Sequence, residues 1–489
     1  MKLLLRGHGE RYALEQLQLC LFPALPLDYT EAPFVGDGAI STLSRGRTWL
    51  TATAKLTLGG RTARAARRIP VSGETVRLRR RILQQSYYLA ALQLLPEAPP
   101  WGALAGVRPT KIPTKVLLSG GTRREADRLL RDVYFISPER RRLCLDASEA
   151  TVRAAERLAP TDLSLYVGVP FCPTRCAYCS FVSQSIEREG ALVEPFLQAL
   201  LRELAHTAEL LARSPCRIRT LYFGGGTPTI LTADQLRRLM AAIASHFDLS
   251  RLIEYTVEGG RPDTLDAEKL AVLRAYGCGR VSINPQTMSD AVLRAVGRRH
   301  TTEDTVRAYE QARAAGFDAV NMDLIAGLPG DSAPSFADSL GRVLRLEPEN
   351  ITVHTLALKK GADLYQDRRG LPPQAAVAEM LAEAEPRLRA AGYAPYYLYR
   401  QKYMSGSFEN VGWTRPGFDG LYNIYMMEEL HTVLSLGGGG MNKVNLPGGK
   451  IVRFHNPKYP KEYLAQLDDV LRQKEEIFRL LGKEDGNVH

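Results

Sequence analysis

Long apolar runs are missing from these 489 residues, so no segment reads as a helix able to cross a bilayer. The opening Met1-Lys-Leu-Leu-Leu-Arg6 lacks the length and the small-residue cleavage site of a signal peptide. Cysteine is scarce, at 7 residues. An odd number does not close into a disulfide framework, which favours a reducing, cytoplasmic compartment. A second C-x2-C knuckle is also lacking, and a structural zinc site needs one to complete its four ligands. What is there is ordinary in bulk: 45% hydrophobic and 24% charged residues, the composition of a soluble globular chain. The length calls for two or three domains.

The formal net charge is +11, with arginine concentrated in Arg61 to Arg81 and Arg123 to Arg142. Nucleic acid, an acidic small molecule and a solvated surface all fit such a balance. The aromatic-and-glycine motif of an RNA-binding sheet is absent, so the solvated surface is preferred and nucleic acid is disfavoured as a partner.

The chain is organised around Tyr166-Val-Gly-Val-Pro-Phe-Cys172-Pro-Thr-Arg-Cys176-Ala-Tyr-Cys179-Ser-Phe181. The apolar run Leu163 to Val169 reads as a buried strand that stops at Pro170. Three cysteines follow at C-x3-C-x2-C spacing. Thiolates hold iron–sulfur clusters, and one compact loop can bind three irons of a four-iron cube, leaving the fourth open to a small molecule. Cys20, Cys144, Cys216 and Cys278 are scattered and read as small core residues.

Residues 1–158 read as an α+β domain of unclear role. Ala39 to Leu58 has β-type composition, with turn signals at Arg45-Gly46-Arg47 and Gly59-Gly60. Helical patterns run from about Glu74 to Leu95. Trp101 to Lys111 is punctuated by proline and glycine, and reads as a structural loop. Thr122 to Glu125 has the form of a capping box, and Ser137-Pro138 that of an N-cap followed by proline.

From 159 to 395 the pattern becomes strand, loop, helix, repeated. The strands are Leu163–Val169, Ile218–Phe223, Glu254–Glu258, Arg280–Asn284, Ala319–Ile325 and Ile351–Leu356. Helical stretches such as Leu192–Leu211 and Thr302–Ala315 separate them, and Thr232 to Gln235 is another capping box. Alternation of this kind predicts an α/β fold, a partial (β/α)6 barrel with parallel strands. Its chemistry should sit at the C-terminal strand ends. The residues there are suggestive: the cysteine loop, then Gly224-Gly225-Gly226-Thr227, Glu258, Gln286, Arg298 and Asp323. Glycines let backbone approach a ligand. The carboxylates suit hydroxyls or ammonium, and the arginine suits a carboxylate.

With these residues in place, the chain resembles radical S-adenosylmethionine enzymes. Within them it resembles the oxygen-independent coproporphyrinogen III oxidase family, most of all its dehydrogenase branch. The similarity covers about Leu165 to Leu436. It implies a [4Fe-4S] cluster on Cys172, Cys176 and Cys179, which also serve catalysis. It further implies S-adenosylmethionine contacts from Tyr166, Tyr178, Gly225, Gly226, Thr227, Glu258, Gln286, Arg298, Asp323 and Ala357. The implied reaction oxidatively decarboxylates two propionates of coproporphyrinogen III to vinyl groups, in haem biosynthesis. A tetrapyrrole substrate and an electron donor such as flavodoxin or ferredoxin come with it. Two positions depart from the characterised oxidases: Gly168 replaces a histidine, and Phe181 replaces a further cysteine. Phe181 is similar instead to the family's haem-chaperone branch, the alternative function, ahead of an RNA-modifying enzyme. Residues 396–489 read as a mainly helical, substrate-covering extension. They are rich in aromatics and cations around Tyr396 to Tyr403, with a helix from about Lys461 to Leu481.

Overall fold

The computed structural model describes residues 1–23, 25–180, 184–359, 361–401 and 408–482. The chain divides into two compact units, Met1–Ser148 and Glu149–His489. No helix among the described residues is long and apolar enough to cross a membrane.

In the first unit, β1 (Lys2–Arg6), β2 (Asp28–Thr30), β3 (Gly38–Arg45), β4 (Trp49–Leu58) and β5 (Arg61–Pro70) form one sheet in the order β2-β1-β3-β4-β5. β4 alternates buried Leu50, Ala52, Ala54 and Leu56 with more exposed residues, the pattern of a strand half-covered on one side. Helices α1 (Arg11–Leu21) and α2 (Val76–Leu92) supply that cover through Leu14, Leu17, Tyr87 and Tyr88. The arginine-rich stretch from Arg61 begins as an edge strand, not a helix. Its charges blunt the open edge against pairing with other chains. Helices α3 (Lys111–Leu118) and α4 (Arg123–Tyr134) follow, and α4 opens on the expected Thr122–Glu125 capping box; α5 (Pro138–Ala155) begins in the first unit and ends in the second.

The second unit is built on β6 (Asp162–Val169), β7 (Arg217–Gly225), β8 (Glu254–Glu258), β9 (Arg280–Ser282), β10 (Ala319–Ala326) and β11 (Asn350–Thr355). They are parallel neighbours in chain order. β6 is buried along its whole length except at Tyr166, as a parallel strand covered on both faces must be. Crossovers run through α6 (Val193–Ala212), α7 (Ala233–His246), α8 (Ala267–Ala275), α9 (Thr302–Ala314) and α10 (Ala333–Leu346). α6 buries Leu197, Leu200, Leu204, Ala208 and Leu211, a single stripe at helical spacing. Reciprocal capping boxes at Thr232/Gln235 and Thr301/Asp304 fix where α7 and α9 begin. Each such cap is worth about 1 kcal/mol.

Helix α11 (Gln374–Ala390) precedes two strands, β12 (Ala394–Arg400) and β13 (Glu409–Thr414). β13 adds antiparallel to β11, and β12 to β13. Past α12 (Leu421–Glu428), β14 (Thr432–Gly437) adds parallel to the opposite margin, against β6. β15 (Met441–Leu446) and β16 (Lys450–His455) complete an eleven-stranded sheet. The segment bearing α12 therefore bridges the two margins of the partial barrel. Glu254 anchors it at the start of β8, accepting from the backbone N–H of Leu421 at 2.5 Å and of Tyr422 at 3.4 Å. The chain ends in a helical pair, Pro460–Ala465 and α13 (Leu467–Leu481), where one continuous helix was expected. Gln466 breaks it with non-helical backbone.

Candidate active site

Pro170 ends β6 and turns the chain into the cysteine loop. Cys176 is buried, while Cys172 and Cys179 are half-buried. The loop is pinned to the strand ends on both sides. The Thr227 N–H donates to the Phe171 carbonyl at 2.8 Å, and the Thr227 hydroxyl reaches Cys172 Sγ at 3.4 Å. On the other side, the Ala177 N–H donates to the Val296 carbonyl at 3.1 Å. Gly226 has to be glycine: a Cβ there would meet the Phe171 oxygen at 2.5 Å and Cys172 Sγ at 3.0 Å. Gly225 has φ +112, a left-handed conformation that favours glycine.

The structure gathers the remaining sequence-predicted residues on the same side of the sheet. Glu258, the last residue of β8, accepts from the Tyr222 hydroxyl at 2.6 Å. Burial raises its pKa to about 7, Asp323 adds to the rise, and the Tyr222 bond and His354 offset part of it. Asp323 on β10 accepts from Asn321 Nδ2 at 2.9 Å, and His354 Nε2 stands 3.7 Å from its other oxygen. Burial alone would raise the Asp323 pKa, but His354 and Asn321 outweigh it and hold it below the ordinary value. Gln286 adopts φ +70, uncommon for a residue with a side chain, and is clamped between the Asp323 carbonyl and the Ile325 N–H. Arg298 is buried; its guanidinium donates to the Asn284 carbonyl at 2.6 Å and faces Tyr178 and Cys176. Ala357 follows the end of β11, half-buried.

Three features went unread in the sequence. His354 is one, and its signal lay in the alternation of Asn350, Thr352 and His354 on β11 beside Asn321 and Asp323 on β10. The second is a tyrosine stack. Tyr422 of α12 lies 4.3 Å from Tyr222 and 6.2 Å from Tyr166, ring centre to ring centre. Such pairs contribute about 0.5–1.5 kcal/mol each beyond their buried area. The third is the glycine run after β14, which presses on Gly168. A Cβ on Gly168 would meet the Gly438 oxygen at 2.5 Å. Backbone therefore takes the space that a side chain at position 168 would need. Phe181, Lys402 and Tyr403 lie outside the described residues. Tyr396 and Tyr397, by contrast, are buried in β12. Of the four scattered cysteines, Cys144 and Cys278 are buried as expected, while Cys20 and Cys216 are only half-buried.

Part of the polar lining between the loop and the strand ends is left unpaired. Asn284 Oδ1, Gln286 Oε1 and Arg298 Nε are buried with no hydrogen-bond partner among the described residues. Buried polar groups are ordinarily paired, so this set is suited to a bound molecule bearing both donors and a carboxylate. No three His, Cys, Asp or Glu side chains among the described residues converge as ligands of a single ion. A cubane does not ask for that, because each cysteine bonds a different iron.

The profile of the Radical SAM superfamily matches residues 166–343, the stretch from the first barrel strand into α10. Fold and site thus define a radical S-adenosylmethionine protein, a class that works with a [4Fe-4S] cluster and S-adenosylmethionine. Similarity reaches further than the barrel. The chain is 39% identical over 394 residues to the oxygen-independent coproporphyrinogen-III oxidase-like protein HemZ of Bacillus subtilis (strain 168), covering 78% of this chain and 79% of that one. It is 34% identical over 238 residues to the heme chaperone HemW of the same organism, covering 48% and 62%. Among solved structures, coproporphyrinogen III oxidase (HemN) from Escherichia coli superposes with a TM-score of 0.52 at 27% identity, over 66% of this chain and 72% of that one. The chain belongs to the oxygen-independent coproporphyrinogen III oxidase family, whose members carry both oxidase and haem-chaperone names.

Proposed function

We propose that this protein oxidatively decarboxylates two propionate side chains of coproporphyrinogen III to vinyl groups without oxygen. The observation that carries the reading is the 39% identity over 394 residues to the oxidase-like relative, against 26–34% over 238–319 residues to haem chaperones. When bound, the cluster and S-adenosylmethionine supply a deoxyadenosyl radical able to take hydrogen from a propionate β-carbon. The chain's own residues hold and orient the parts. Cys172, Cys176 and Cys179 are the cluster ligands. Gly225, Gly226 and Thr227 let backbone come close to the methionine amino group, and Arg298 pairs with its carboxylate. Asp323, kept ionised and aimed by Asn321 and His354, accepts from ribose hydroxyls. Glu258 and Gln286 complete the polar lining, with Tyr166, Tyr178 and Ala357 beside them. The Tyr166–Tyr222–Tyr422 stack gives the same region an apolar wall for a flat tetrapyrrole.

A haem-chaperone role is the second reading, favoured by the 34% identity over 238 residues to a haem chaperone and by Phe181 after the third cysteine. Anaerobic incubation with coproporphyrinogen III, reductant and S-adenosylmethionine decides between them, with the oxidised porphyrins separated by chromatography. Protoporphyrin, with matching carbon dioxide and deoxyadenosine, is the expected result. Stoichiometric haem binding without decarboxylation, in protein that still cleaves S-adenosylmethionine, would establish the chaperone instead.

A further inference from the structure

We propose that Arg261 is a positioning residue for the cysteine loop: from the exit of β8 it clamps the span between Cys172 and Cys176, and so sets where those two thiolates stand. The inference rests on the reading of the cysteines as cluster ligands and is independent of the tetrapyrrole reading. Arg261 lies three residues beyond Glu258, in Gly259-Gly260-Arg261-Pro262-Asp263. An arginine in a turn is ordinarily solvated, yet this one is only 2% exposed. All three of its guanidinium nitrogens donate. Nε and one terminal nitrogen fork onto the Asp263 carboxylate, at 3.0 Å and 2.8 Å. The other terminal nitrogen donates to the Thr174 hydroxyl at 2.7 Å and to the Thr174 carbonyl at 3.3 Å.

Thr174 is the middle residue of the Cys172–Cys176 span, so one side chain holds both cysteines' connecting backbone. The same hydroxyl donates onward to the carbonyl of Gly297, the residue before Arg298, at 3.4 Å. The base of the clamp is itself fixed: the Arg261 carbonyl accepts from the Thr264 N–H at 3.1 Å and from the Thr264 hydroxyl at 2.8 Å. A buried guanidinium is costly unless it is paired and its donors are used. The two-point pairing with Asp263 supplies the countercharge and fixes the guanidinium plane, which aims the remaining nitrogen at Thr174. His300 backs the carboxylate, its side chain fully buried and Nδ1 at 3.8 Å from Asp263 Oδ1. Burial and Arg298, with Arg261 adding, push the His300 pKa down to about 4 against the pull of Asp263. At neutral pH the ring is therefore uncharged and does not compete with Arg261 for Asp263. Ligands held in place before the metal arrives bind it without a cost of ordering, which is the service this clamp performs.

The test uses the anaerobic, cluster-loaded protein and three variants. Arg261→Lys keeps the charge but lacks the fork, Thr174→Val keeps the shape but lacks the hydroxyl, and Thr174→Ser keeps the hydroxyl. Iron release to an excess of chelator, followed by absorbance, should quicken about tenfold or more in Arg261→Lys and Thr174→Val, the scale for losing a hydrogen bond to a charged group. Thr174→Ser should release iron at the parent's rate. The electron paramagnetic resonance g-values of the reduced cluster should shift in the first two variants and not in Thr174→Ser, because only a displaced thiolate alters them. Parental release and g-values in Arg261→Lys overturn the proposal, as do equal effects of Thr174→Ser and Thr174→Val. Should Arg261→Lys fail to fold, the two Thr174 variants decide alone; a Thr174→Val protein that takes up no cluster while Thr174→Ser loads fully counts as the predicted loss. Failure of the ligand reading is seen separately, as a full cluster in protein lacking all three cysteines.

Discussion

Glu203 and Lys474 form an ion pair with both side chains fully buried, Nζ to Oε1 at 3.1 Å. Glu203 sits on α6 and Lys474 on α13, and between them they hold the glycine turn over the cysteine loop. The carboxylate accepts from the Gly437 N–H at 2.7 Å, from Asn456 Nδ2 at 3.0 Å and from the Tyr463 hydroxyl at 2.5 Å. Lys474 donates to the Ser435 carbonyl and, at 3.0 Å, to Asn442 Oδ1. Gly438 in turn packs so closely on Pro170 that a Cβ would stand 2.7 Å from the ring. Changing Lys474→Met strands a buried carboxylate, which costs about 3–5 kcal/mol. Removing both charges in Glu203→Gln/Lys474→Met leaves mainly lost hydrogen bonds, at about 1 kcal/mol each. The double variant should therefore be less destabilised than the two single effects added together. Hydrogen exchange measured on the peptide covering 432–446 gives a local readout. At about 1.4 kcal/mol per factor of ten, exchange there should rise by at least about a hundredfold in Lys474→Met. Anaerobic denaturant titration gives the global effect, and iron content shows whether the cluster loop loosens with the turn. Exchange at the parent's rate in Lys474→Met, or strictly additive losses in the double variant, would refute this account of the pair.

Replacing Cys172, Cys176 and Cys179 together by alanine should remove the cluster; iron and sulfide counting checks it, and a full cluster in that variant contradicts the ligand assignment. Arg298→Ala should weaken S-adenosylmethionine binding by about 1.5–3 kcal/mol, the range for a charge-assisted bond, and equilibrium binding at parental affinity would place the carboxylate partner elsewhere. Glu258 binds its proton more tightly folded than unfolded, with its pKa raised from 4.5 to about 7, so the cofactor-free protein should lose stability as pH rises through that window. The loss from this group is at most about 3 kcal/mol. Denaturant midpoints measured against pH should show a shallower fall in Glu258→Gln; identical slopes in variant and parent would count against the burial argument.

The chain's local patterns determined a good deal by themselves. A cysteine spacing is a property of one loop, and the apolar run before it, buried on both faces, reads as a strand whatever it packs against. Capping boxes at Thr122 and Thr232 couple residues three apart, so α4 and α7 begin where the sequence says. Strand–helix alternation fixes parallel neighbours in chain order, and that order carries Glu258, Gln286 and Asp323 to one side of the sheet. Only the tertiary structure decided what packs against them. Tyr422 meets Tyr166 from a helix far along the chain, Gly438 fills the space beside Gly168, and His354 joins Asp323 across a strand boundary. The strand at Arg61–Pro70 and the break at Gln466 were likewise invisible, since a charged edge strand and a helix both present solvated arginines, and a single residue of altered backbone leaves the apolar period intact. Contacts between distant segments leave no periodicity in either one. They exist because closing the sheet at both margins brings those segments to the same few ångströms.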